Sequence, residues 1–285
     1  MRVGRISSAG ALALLLAIGP SGCSTGDETT TEASDLAHVH GLGVNPADGK
    51  VYTASHHGVF RIDDGGAVRQ GDLGQDTMGF TVAGADRFLA SGHPDPSKDR
   101  LLGPGMRPLL GLIESTDRGG SWRSLSLLGE VDFHSLAYAH GRVYGFDATN
   151  GRFMVSADAK QWETRSNVRL ASFAVSPSSP DRVVASLADQ SLVVSVDGGR
   201  SWQSVSGGLP LAFISWHPVR GLWALEASGV VARSTDDGST WTRVGKVTGS
   251  PAALLADANG LFVATSDAVL LSTDAAGTWT KIHPR

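Results

Sequence analysis

The chain has 285 residues, with 24 Lys and Arg against 28 Asp and Glu, a formal net charge of -4. That balance excludes the basic surplus of a nucleic-acid binder, and 41% hydrophobic with 18% charged residues excludes a disordered chain. Glycine supplies 36 residues, nearly twice the usual ~7% and without a collagen period, which predicts many turns and short strands rather than a helical bundle.

The chain opens on Arg2 and Arg5, followed by an apolar stretch from Ala9 to Ile18 that is too short to span a bilayer. Pro20, Ser21, Gly22 and Cys23 come next, and Cys23 is the only cysteine, so no internal disulfide is available. A lone cysteine directly after such a core and a small residue resembles a bacterial lipobox. The resemblance implies a lipoprotein signal peptide over 1–23 and lipidation of Cys23. The protein would then sit in the cell envelope, anchored on the outer side of the cytoplasmic membrane. Residues 24–37 are polar and acidic, with Thr29, Thr30 and Thr31 in a row, and are expected to form a disordered tether. Residues 38–285 remain for a folded domain, and no segment of them approaches the ~18 apolar residues of a membrane span.

In that domain Ser115-Thr116-Asp117-Arg118-Gly119-Gly120-Ser121-Trp122 recurs as Ser195 to Trp202 and as Ser234 to Trp241. Ser272 to Trp279 is a fourth copy with its glycine displaced by one, and Ser156 to Trp162 a shorter fifth without glycine. The Ser positions recur at intervals of 38 to 41 residues. A period of that length with short strands predicts propeller blades. In S-x-D-x-G-x-x-W the Asp carboxylate accepts backbone N–H groups inside a tight turn. The Gly takes a positive φ, and the Trp opens the next strand with a large apolar surface.

Each unit reads as four strands, A to D, with the box between C and D. The first is expected at Val39–Val44, Val51–Ser55, Gly58–Ile62 and Val68–Gln70, with Asp63-Asp64-Gly65-Gly66 replacing the box. Later units start near Thr77, Phe133, Leu170, Leu211 and Ala252. Six units make an all-β, six-bladed β-propeller the expected fold, with seven blades the less favoured count. The first strand is an A strand and the last a D strand, so closure is expected to rest on blade packing.

The five boxes resemble the Asp-box, or BNR repeat, of sialidases, sortilin-type receptors and some xyloglucanases. The resemblance implies that Asp117, Asp158, Asp197, Asp236 and Asp274 are structural turn residues away from any active site. Exported bacterial proteins described as glycosylhydrolase-like are similar in three segments, His38-Val39-His40-Gly41-Leu42, Gly92-His93-Pro94 and Asp132-Phe133-His134. That likeness implies an activity on glycans.

Strands A and B are antiparallel neighbours, so the D-to-A and B-to-C connections share one rim, opposite the boxes. At the start of strand A the aligned residues are His40, Met78 and His134, then Ala171, Ala212 and Ala252. Two places earlier stand His38, Asp76 and Asp132. After strand B come His57, with His56 adjacent, and His93, with Asp147 near the equivalent place in the third blade. Structural pressure acts on all blades alike, so this asymmetry points to function. His38, His40, His57, Met78, His93 and His134 form a candidate metal set, copper first and zinc second. A metal-free ligand site and a hydrogen-bonded network are the alternatives. Between His93 and Leu110 one connection exceeds the period, with Pro94, Pro96, Pro104 and Pro108, and lies on the same rim as a lid or a spacer.

Whether the protein is an enzyme stays open. A glycosidase needs two carboxylates ~5–9.5 Å apart, for which Asp76, Asp132 and Asp147 are the weak candidates. The sialidase set is not found: Arg61 falls on a C strand, only Arg169 begins an A strand, and Tyr52, Tyr138 and Tyr144 lie within strand patterns. The readings carried forward are a monomeric, membrane-anchored binding protein for a metal, small ligand or glycan at the channel mouth, a glycoside-hydrolase-like enzyme, and a protein-interaction scaffold.

Overall fold

The computed structural model describes residue 1, residue 36 and residues 38–284 apart from 65, 99, 100 and 207. They form six four-stranded antiparallel sheets, each with its strands in sequence order. In blade one the strands are Val39–Val44, Val51–Ser55, Gly58–Asp63 and Gly66–Arg69. The innermost strands of the other blades are Asp76–Gly84, Phe133–Ala139, Leu170–Val175, Leu211–His217 and Pro251–Asp257. The chain is thus a six-bladed β-propeller. Its blade starts fall within one residue of those expected from the repeat.

The apolar alternation of each blade is buried against the next one. Six hydrophobic clusters straddle the six blade junctions; one, for example, joins Tyr52 and Val59 to Phe80 and Phe88, and the next joins Leu89 and Leu112 to Phe133 and Val143. The ring closes without a shared sheet, since Val39, Leu42 and Phe60 of blade one pack on Ala253, Phe262 and Val269 of blade six. Leu36 belongs to this closing cluster and is 1% exposed. Residues 24–35 and 37 of the expected tether, and residues 2–23 of the expected signal segment with Cys23, lie outside the described residues. Tyr52 and Tyr144 are fully buried, as packing residues.

The boxes are one hydrogen-bonding device used five times. Ser195 Oγ donates to Asp197 Oδ1 at 2.8 Å and accepts the Gly199 N–H at 2.7 Å. Asp197 Oδ1 accepts the Arg200 and Ser201 amides at 3.0 and 2.9 Å, and its Oδ2 takes the Ser201 hydroxyl at 2.6 Å. Asp117, Asp236 and Asp274 repeat the pattern, while Asp158 holds the amides of Lys160 and Gln161. Hydrogen bonds from Thr240 and Thr278 hold the carboxyls of Asp236 and Asp274 down at about 2.

The box tryptophans are half-buried rather than central to their own hairpins, because each leans on the blade before it. Trp202 Nε1 donates to Ser166 Oγ of blade three at 2.9 Å, and Ser166 Oγ in turn donates to Gly199 O at 2.7 Å. Trp162 makes the same stitch to Ser126 of blade two, at 2.9 Å. Trp202→Ala is expected to cost about 2–4 kcal/mol, below the full core range because the ring is half-exposed. Trp202→Phe should cost about 1 kcal/mol, the net worth of the lost hydrogen bond. Denaturant midpoints at unchanged slope measure both; an unshifted midpoint for Trp202→Ala would show that the stitch carries no stability.

Candidate metal site at the channel mouth

The six innermost strands line a central channel of about 590 Å³. Each of them carries a β-bulge near its start, where one residue has no partner on strand B. The bulged residues are His40, Met78, His134, Ala171, Ala212 and Ala252. A bulge re-aims a side chain and breaks the ladder. Here it does so at one place in every blade, beside the mouth. In blades one to three the re-aimed residue carries a donor atom; in blades four to six it is alanine. His40, Met78 and His134 line the channel.

The histidine and aspartate side chains of blades one to three form a continuous chain of contacts. His40 Nε2 lies 3.4 Å from His56 Nδ1, and His56 Nδ1 lies 2.7 Å from Asp76 Oδ1. His40 Nε2 is itself 3.8 Å from Asp76 Oδ1. Asp76 and His93 are cross-strand partners, and His93 Nδ1 stands 3.5 Å from Asp76 Oδ2. On its other side His93 Nε2 stands 3.6 Å from Asp132 Oδ2, which His134 Nε2 approaches to 2.7 Å. His38 precedes the first strand at φ 59° and places its ring 5.1 Å from that of His56.

Among the described residues, one group of His, Cys, Asp or Glu has its ligand atoms mutually close enough for a metal ion: His40, His56 and Asp76. Burial, reinforced by His56, lowers the His40 imidazole to about 4 against the pull of Asp76. At neutral pH it is therefore uncharged, the state in which a ring nitrogen coordinates. The hydrogen bond to Asp132 raises His134 instead, against the effect of burial.

Of the residues expected from the sequence, His40, His93, His134, Asp76 and Asp132 converge, with Met78 beside them on the channel wall. His56 takes the place expected for His57. The strand before them ends at Ser55, whose hydroxyl accepts the His57 amide at 3.1 Å; His57 is left exposed while the half-buried His56 turns onto Asp76. Asp147 is not a free rim carboxylate. It is fully buried, with Arg152 on Oδ2 at 2.9 and 2.7 Å, Asn150 on the same oxygen at 2.8 Å, and the Thr149 amide on Oδ1 at 3.1 Å.

The long connection of blade two runs beside the site, tied to the preceding blade junction by Gly74 N donating to Asp95 Oδ2 at 3.0 Å and Lys98 Nζ to Asp72 O at 2.8 Å. Hydrogen bonds from Ser97 pull the Asp95 carboxyl down to about 2. At its far end Leu110 is buried at 1% exposure.

Fold and site together define a six-bladed β-propeller with a histidine–carboxylate cluster at one channel mouth. No protein-family model matches the chain, and no curated protein sequence matches it. Solved structures do. One is YCF48 bound to D1 peptide, at 18% identity over 86% of this chain and 81% of that one, TM-score 0.54. A chain of a nidogen/laminin complex is similar at 11% identity over 82% and 93%, TM-score 0.63. The GH74 xyloglucanase from Xanthomonas campestris is similar at 17% identity over 86% of this chain and 45% of the enzyme, TM-score 0.54. At such identities the likeness is one of fold.

Proposed function

We propose that this protein is an exported, membrane-anchored propeller that binds a transition-metal ion at the channel mouth through His40, His56 and Asp76. The observation that carries the reading is their triangle of donor atoms, with sides of 3.4, 2.7 and 3.8 Å. Ligands held tetrahedrally at ~2.0–2.1 Å stand about 3.3 Å apart, so one ion fits with small adjustments. Two imidazoles and a carboxylate suit Cu(II) and Zn(II), and the general affinity order places Cu(II) first. Three protein ligands leave a position open for a further donor. Met78, bulged into the channel from the strand that carries Asp76, is a soft donor on the same wall. Calorimetric titration of the purified chain with Cu(I), Cu(II) and Zn(II) tests the reading. Micromolar or tighter binding of one of them is expected; no heat with any of the three removes it.

A glycan-processing enzyme is the second reading. Its support is that Asp76 and Asp132 both face His93, and so stand across a short gap at one mouth. Against it, both carboxylates are engaged by histidines and Asp147 by arginine. Turnover of a fluorogenic glycoside panel, abolished by Asp132→Asn, would put this reading first.

The envelope location rests on the signal segment and Cys23. Residues 24–35, between the lipidated cysteine and the buried Leu36, span at most about 40 Å. Cys23→Ala is expected to release the protein from the membrane fraction into the medium; retention in the membrane would end the lipid-anchor assignment.

A further inference from the structure

The triad leaves His93, Asp132 and His134 unused, and their geometry is not that of a closed hydrogen-bonded network. The Asp132 side chain is 6% exposed. His134 Nε2 approaches its Oδ2, but its Oδ1 is buried without a partner. A buried carboxylate oxygen with nothing on it is costly, and a cation relieves the cost. His93 lies between the two carboxylates, with Nδ1 3.5 Å from Asp76 Oδ2, the oxygen that the first triangle leaves free, and Nε2 3.6 Å from Asp132 Oδ2, the oxygen that His134 approaches. Both distances are too long for good hydrogen bonds. Both are within a few tenths of the ~3.3 Å that separates two ligands of one tetrahedral ion.

We propose that the mouth holds two metal ions bridged by the His93 ring. Nδ1 joins the ion of His40, His56 and Asp76, and Nε2 joins a second ion held by Asp132 and His134. The proposal rests on the first ion binding as described above. His93 gives up its ring N–H proton to solvent when the second ion binds, so that each nitrogen offers a lone pair. With bonds of ~2.0–2.1 Å at each nitrogen, the ions stand about 6 Å apart. The first triad has all its ligand atoms within 4.8 Å of one another. Neither His93 added to that triad nor His93, Asp132 and His134 together meets the same limit, so the half-exposed His93 ring must turn for the bridge to form, and the second ion binds more weakly.

Cu(II) titration of the purified chain, followed by calorimetry and electron paramagnetic resonance, distinguishes the outcomes. Expected are two equivalents, the first giving a mononuclear copper signal and the second quenching it as the two spins couple through the ring. His93→Gln should keep the first equivalent, with the signal of a site one nitrogen ligand poorer, and lose the coupling. His134→Ala should keep the first and weaken the second at least tenfold. One equivalent in the unaltered protein overturns the second ion and leaves the first intact. Two equivalents without coupling, or coupling that survives His93→Gln, overturns the bridge. No copper binding at all overturns the underlying reading instead.

Discussion

His40→Ala is expected to weaken Cu(II) and Zn(II) binding at least 100-fold, about 2.7 kcal/mol or more. His40 is the residue that the first bulge turns into the channel mouth, and its Nε2 closes two sides of the donor triangle, at 3.4 Å to His56 and 3.8 Å to Asp76. Burial already holds it neutral, with its pKa lowered to about 4, so little proton release opposes binding at that nitrogen. Loss of a residue that only orients a ligand commonly costs ~10–100-fold, and loss of the ligand itself costs more. His57→Ala is the matched control, because His57 is exposed and adjacent to the site without entering it. Calorimetry on both variants decides the matter. A His40→Ala affinity within threefold of the unaltered protein would remove His40 from the site. Equal losses in both variants would point to a disturbed fold.

Gly199→Ala is expected to destabilise the propeller by about 2–5 kcal/mol, summing ~1–2 for a left-handed backbone and ~1–3 for overpacking. Gly199 sits at φ 90°, and a Cβ there would stand 2.2 Å from the Phe153 ring of blade three. That ring is fully buried and packs edge-on against Phe173 and Trp202, so it has nowhere to retreat. Blade six provides an internal comparison. There Ala276 fills the same role, its amide donating to Ser272 Oγ at 2.9 Å, at φ 70°. Its neighbours in blade five are Gly245, where an added Cβ would come 2.9 Å from the Ala276 Cβ, and Val231, which stands where blade three has the larger Phe153. The fold thus accepts alanine at this turn when the facing residue is small. Thermal or denaturant unfolding measures the effect, and a loss below ~0.5 kcal/mol, the size of an ordinary surface change, would show that the junction is looser than its packing implies.

The sequence by itself determined the architecture. A box turn is local chemistry: Ser195, Asp197 and Gly199, with the amides of Arg200 and Ser201, lie within seven residues and satisfy one another's hydrogen-bonding groups, so five spaced copies mark five blades and their period assigns the sixth. The same alignment located His40, Met78 and His134 at one position of successive blades, because a bulge that recurs in every blade keeps the repeat in register. Tertiary structure decided what depends on groups far apart in the chain. His56 rather than His57 joins the site because Ser55 fixes the turn and Asp76, from the next blade, meets the ring. Asp147 is withdrawn because Arg152, across a turn, claims its carboxylate. Leu36 becomes core only because blades one and six meet there, a contact between the two ends of the domain. The proposed metal site stands between the two. Residue types and spacing made it thinkable, but the separations among His40, His56, Asp76, His93 and Asp132 exist only once three blades are packed side by side, since no two blades alone supply the whole chain of donors.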